Sequence, residues 1–119
     1  MRVAVTAKNP DSGSPVDSRF GRAKYIIIVD TLTGAMDIQD NEVNLNALQG
    51  AGIQTAQNVS ALGVDAVLTG HIGPNAFRAL SAAGIKVYTK LSGSVNEAID
   101  DLVNGKLVPT ESADVEGHW

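Results

Sequence analysis

Asp65-Ala66-Val67-Leu68-Thr69-Gly70-His71-Ile72-Gly73-Pro74-Asn75-Ala76-Phe77 decides how this 119-residue chain is put together. Ala66, Val67 and Leu68 form a continuous apolar run, as in a strand covered on both faces, and Gly70 and Gly73 bound a turn after it. Pro74 then stands at the first position of a helix, where no amide hydrogen is required. A strand, a glycine turn and a helix start leave backbone N–H groups at the loop mouth, where the helix dipole favours an anion. The same arrangement also serves as a plain connector in any α/β domain. His71, between the glycines, favours a site: a neutral imidazole accepts a hydrogen bond there, and a protonated one faces an anion. The alternative is a hydrogen-bonded structural histidine.

Before this stretch, Gly50-Ala51-Gly52 opens a helix with Ile53, Ala56, Val59 and Leu62 on one face, and Gly63 closes it. After it, the helix from Pro74 carries Ala76, Phe77, Leu80 and Ala83 inward and stops at Gly84; Ile85-Lys86-Val87-Tyr88-Thr89 is a strand. Ser94-Val95-Asn96-Glu97 is a capping box for a third helix, with Val95, Ala98, Ile99, Leu102 and Val103 inside. Nearer the start of the chain are three strands. They are Arg2-Val3-Ala4-Val5-Thr6, the apolar Tyr25-Ile26-Ile27-Ile28-Val29-Asp30, and Ala35-Met36-Asp37-Ile38-Gln39-Asp40-Asn41, whose period of two marks a half-buried edge strand after a hairpin connection. Residues 8 to 18 are turn-rich, and Arg19-Phe20-Gly21-Arg22 forms a short turn before the second strand. Residues 109 to 119 are acidic and aperiodic, a flexible tail expected beyond a single domain of residues 1 to 108.

The element order β-β-β-α-β-α-β-α predicts an α/β fold with a five-stranded mixed sheet in the order 3-2-1-4-5, strand two antiparallel to its neighbours. The ends of strands one, three, four and five and the start of strand two then share one edge, with the N-termini of all three helices. The ligand position this predicts is the crevice between strands one and four. Lys8, Arg19, Arg22, Lys24 and Lys90 fall in the loops of that edge although the formal charge of the chain is −4. The candidate contacts are therefore Lys8, Arg19, Arg22, Gly50, Gly52, His71, Gly73, Pro74 and Asn75. Alternatively, Arg19 and Arg22 pair with Asp11, Asp17 or Glu42 on the same rim.

Composition narrows the chemistry. The net negative charge gives no general affinity for nucleic acid, so a bound anion must meet a local patch. Without cysteine and with only two histidines, His71 and His118, the chain lacks the donors of a tetrahedral nitrogen and sulfur zinc site. The longest apolar run is too short to span a bilayer and Met1-Arg2-Val3 enters a strand, so neither membrane association nor a signal peptide is expected, and the expected location is cytoplasmic. Gly50-Ala51-Gly52-Ile53-Gln54-Thr55 lacks the third glycine of a dinucleotide fingerprint, and neither a phosphate-binding P-loop nor a G-x-S-x-G nucleophile is present. Asp100-Asp101 reads as the solvated side of a helix. No catalytic constellation emerges.

Asp17-Ser18-Arg19-Phe20-Gly21-Arg22-Ala23-Lys24-Tyr25 followed by Ile28-Val29-Asp30, Gly50-Ala51-Gly52-Ile53, Gly63-Val64-Asp65-Ala66-Val67-Leu68-Thr69-Gly70, Gly73-Pro74-Asn75-Ala76 and Ala83-Gly84-Ile85-Lys86-Val87-Tyr88 resemble the dinitrogenase iron–molybdenum cofactor biosynthesis domain family, over about residues 1 to 108. The resemblance implies a ribonuclease-H-like three-layer fold and a protein that binds or carries anionic metal–sulfur clusters without being an enzyme. The short, cysteine-free form is similar to members that hold a molybdenum–copper sulfide cluster by non-covalent contacts; other molybdenum- or iron-containing sulfur clusters belong to the same family. Relatives carry histidine-rich tails where this chain has only His118, so the resemblance does not extend to metal capture by a tail. A cluster with sulfide as inner ligand needs N–H donors, cationic side chains and an apolar wall for its weakly hydrated sulfur surface. Phe20, Ile72 and Leu45 or Leu48 are the candidates for that wall. Two other classes remain open: a metal-free regulatory module that docks on another cytoplasmic protein through the same edge, and a small anion or nucleotide binder with weak hydrolase activity.

Overall fold

The computed structural model of the chain describes residues 1–41 and 51–113. Gly50, together with Glu42, Leu45, Leu48, His118 and Trp119, lies outside the described residues. The elements are β1 (Arg2–Ala7), β2 (Tyr25–Asp30), β3 (Met36–Asp40), α1 (Ala51–Ala61), β4 (Ala66–Leu68), α2 (Pro74–Ala82), β5 (Lys86–Tyr88) and α3 (Val95–Val103). The sheet has the order β3-β2-β1-β4-β5, as the element order predicts. β2 is antiparallel to β1 and β3, and β4 is parallel to β1 and β5.

Alternation along the strands makes two cores. Val3, Val5, Ile27, Val29, Ala66 and Leu68 face one way, where Val95 and Ala98 of α3 cover them. Ala4, Ile26, Ile28, Val67 and Val87 face the other, under Ala56 and Val59 of α1 and Ala76 and Leu80 of α2. The result is three layers. β1, β2 and β4 are apolar on both faces because both faces are roofed, and each fully buried Val, Leu, Ile or Phe contributes on the order of 1.5–3 kcal/mol.

The helix signals in the sequence hold locally. Ser94 and Glu97 form the capping box reciprocally, with Glu97 N–H donating to Ser94 Oγ at 3.1 Å and Ser94 N–H to Glu97 Oε1 at 3.3 Å. Gly84, after α2, has φ +78°, a left-handed backbone that glycine adopts without strain. β3 is more exposed than a half-buried strand, with Met36 at 43 % and Ile38 at 42 %, because neither core includes a β3 side chain. No helix of the described residues is long and apolar enough to cross a membrane.

Candidate functional site

The crevice between β1 and β4 is filled by the chain itself. Thr6, 1 % exposed at the end of β1, donates from Oγ1 to the Asp17 carbonyl at 2.9 Å and lies 2.9 Å from Thr69 Oγ1 beyond β4. Asp17 N–H donates to Thr6 O at 2.9 Å and Gly70 N–H to Asp17 O at 3.3 Å. Gly70 approaches so closely that a Cβ there would stand 2.5 Å from Ser18 Cα, which explains why this position lacks a side chain. Residues 17 to 20 therefore lie across the two strand ends as a plug. No cleft is left there that runs down to the sheet between these strand ends.

The plug ends in an isolated parallel bridge between Arg19 and His71, with Phe20 N–H donating to His71 O at 3.1 Å. Bridge partners project from one face and their successors from the other. Arg19 is exposed and His71 half-buried on the outer face, whereas Phe20 and Ile72 point inward at 1 % and 0 % exposure and belong to the core under α1 and α2. The apolar wall expected of Phe20 and Ile72 is thus absent, because the alternation that puts Arg19 and His71 outside spends both neighbours on packing. Asp17 Oδ1 accepts from the Arg19 backbone N–H at 3.0 Å. Arg22 is half-buried and engaged with a partner. Lys8 is exposed on a tight loop in which Ser14 Oγ accepts from Lys8 N–H at 3.1 Å and Asn9 N–H at 2.8 Å.

The helix starts described at this edge differ. α2 begins beside His71 with Gly73 as N-cap, no side-chain cap and Pro74 in the first turn; Asn75 is exposed. Gly52, near the start of α1, touches α2: a Cβ there would stand 3.2 Å from Ala76 Cβ. α3, by contrast, has spent its first amides. Val95 N–H donates to Ser14 O at 2.9 Å and Asn96 N–H to Ser12 O at 3.1 Å, and Ser94 caps Glu97. The turn-rich loop of residues 8 to 18 closes this helix end.

On the far side of His71 is a cavity of about 650 Å³, bounded by Thr89 and Lys90 and by Val108, Pro109, Thr110 and Ala113. Beyond residue 108 the chain contacts β5 there. Thr110 N–H donates to Val87 O at 2.7 Å, and its Oγ1 accepts from Thr89 N–H at 3.1 Å and lies 2.7 Å from Thr89 Oγ1. β5 is the sheet edge, and its unpaired carbonyl at Val87 gives the segment an anchor. These contacts reach two residues beyond the boundary expected at residue 108. Thr89 and Thr110 carry no sequence signal, since a single tertiary hydrogen-bond pair leaves no period or motif.

Among the described residues, no three His, Asp or Glu side chains converge to hold a metal ion. What the edge offers is cationic side chains and backbone N–H groups, in a chain without cysteine. The chain belongs to the dinitrogenase iron–molybdenum cofactor family, whose pattern matches residues 1–105. That membership ties it to the binding of a metal-containing cofactor. The apo form of the orange protein from Desulfovibrio gigas is 39 % identical, with a TM-score of 0.94 over 96 % of each chain. A Thermotoga protein of the DUF35 family, solved by NMR, is 36 % identical with a TM-score of 0.80, covering 96 % of this chain and 98 % of that one. An uncharacterized protein of Methanocaldococcus jannaschii is 30 % identical over 110 residues, 90 % of this chain and 89 % of the relative.

Proposed function

We propose that the protein binds and carries an anionic molybdenum-containing metal–sulfide cluster, of the molybdenum–copper sulfide type, and that it is a carrier and not a catalyst. The family supports a metal-containing cofactor, and the 39 % identity to the orange protein supports this branch of it. The observation that carries the reading is the Arg19–His71 pair, two nitrogen-rich side chains on one outward face beside the uncapped start of α2, in a chain with no cysteine. Such a donor set fits a group whose metals are already coordinated by sulfide, because the protein then needs to supply only charge and N–H contacts to the outer sulfurs. In this reading Arg19 and Arg22 are counter-charges, Lys8 adds a third cation at the edge, and His71 donates a hydrogen bond. Gly73, Pro74 and Asn75 form the dipole end, with Gly52 near the start of α1 packed against α2.

The test is reconstitution of metal-free protein with tetrathiomolybdate, with and without copper, followed by visible absorption and metal analysis. The wild type should take up metal. A charge-assisted hydrogen bond is worth about 1.5–3 kcal/mol, so Arg19→Ala or Arg22→Ala should weaken loading roughly ten- to hundredfold where the contact is direct. If the wild type incorporates no metal, or if Arg19→Ala, Arg22→Ala and His71→Ala all load as well as wild type, the cluster reading fails. Docking of a protein partner through the same edge then takes its place.

A further inference from the structure

We infer that the cavity beyond His71 receives one end of the cluster, with Lys90 as its cation and the C-terminal segment around Thr110 as its wall; the inference rests on the cluster reading above. The cavity, at about 650 Å³, lies within the range of roughly 300–1,000 Å³ typical of ligand pockets. His71 belongs both to this cavity and to the bridge with Arg19, so shelf and cavity are continuous at that side chain.

Lys90 is the second observation. Among the described residues it alone combines a side chain with positive φ, +63°, while the other positive-φ positions, Gly34, Gly63, Gly84, Gly93 and Gly105, are all glycine. The backbone there folds against the 70–72 loop, with Lys90 N–H donating to Gly70 O at 2.6 Å and Leu91 N–H to Thr69 O at 3.3 Å. Glycine would meet that conformation without strain, so the lysine costs backbone energy and returns an ammonium at the cavity.

The chemistry of the wall selects the ligand class. Val108 is 84 % exposed, and Pro109 and Ala113 are apolar, while the polar groups besides Lys90 and His71 are hydroxyls. A phosphate or other oxyanion is strongly hydrated and needs a dense set of donors. A sulfide-bridged metal anion has a soft surface that gains from apolar cover beside one or two cations. Thr110 fixes the segment at one point on β5, where the ligand can pack against it.

The decisive variant is Lys90→Gly, which removes the ammonium and relaxes the backbone, so that weaker loading cannot be assigned to misfolding. Titrated with tetrathiomolybdate and copper, it should load about tenfold more weakly than wild type while its Tm is equal or higher. In the wild type, amide hydrogen exchange at Thr110 should slow on loading. Unchanged loading of Lys90→Gly, or unchanged exchange at Thr110, overturns the inference, and does so with the shelf reading intact if Arg19→Ala still loads poorly. A wild type that takes up no metal removes both.

Discussion

Arg19 and His71 stand opposite each other in a parallel bridge whose next residues, Phe20 and Ile72, turn together into the core. One non-local pairing thereby sorts four neighbouring residues into two that meet solvent and two that hold the fold. Binding and stability should separate along the same line.

Phe20→Leu should lower stability by an amount read as a shift in the urea midpoint, and leave cluster loading close to wild type. Arg19→Ala should do the reverse. Full truncation, Phe20→Ala, should cost about 3–5 kcal/mol, the usual range for a buried aromatic. Equilibrium unfolding beside metal loading for the three variants tests the division; a folded Phe20→Leu protein that loads as poorly as Arg19→Ala would return Phe20 to the binding wall.

Gly70→Ala should be among the most damaging small substitutions in the chain. The added methyl would lie 2.5 Å from Ser18 Cα and 2.8 Å from Ser18 O, and backbone atoms cannot swing aside as a side chain can. Overpacking usually costs about 1–3 kcal/mol, and the upper end applies here. Thermal unfolding should show a Tm lower by on the order of 10 °C.

The hydroxyl pair at the plug predicts non-additivity. Thr6→Val removes the donor to the Asp17 carbonyl and leaves Thr69 Oγ1 without its neighbour, at a cost of about 1–3 kcal/mol. Thr69→Val removes the other half of the pair. Because the two sites share one contact, the double variant should lose less than the sum of the singles. Additive losses in a double-mutant cycle would mean that the two hydroxyls do not interact.

Ser94→Ala should destabilise by about 0.5–2 kcal/mol through loss of the cap on Glu97 N–H. Cluster loading should not change, since the amides at this end of α3 already face Ser12 and Ser14. Comparison of its urea midpoint and its loading with wild type tests both statements.

The sheet order was legible because its evidence is local: apolar runs at Tyr25–Asp30 and Ala66–Leu68, glycines after the helices, and the Ser94 capping box. The candidate site was legible only as a neighbourhood of loops. Arg19 and His71 do meet, but the inward turn of Phe20 and Ile72 follows from a bridge between residues far apart in sequence, which no periodicity records. The same holds for α3, whose first amides are taken by Ser12 and Ser14 carbonyls of a loop with no regular pattern. The hold of Thr110 on β5 was hidden for a further reason: an acidic, aperiodic composition describes average behaviour and says nothing about one well-placed hydroxyl.

The plug formed by residues 17 to 20 has a consequence for when conformational entropy is lost. Asp17 is hydrogen-bonded to Thr6 of β1 and to Gly70, and Phe20 to His71, so the Arg19–His71 shelf cannot loosen without disturbing the end of a central strand. The loss of backbone freedom at these two positions is borne when the chain folds, so that binding would have only the side chains left to order. In the proposed reading, a shelf set in advance in this way lets a few modest contacts amount to useful affinity, and it leaves the cluster open to solvent on its outer side.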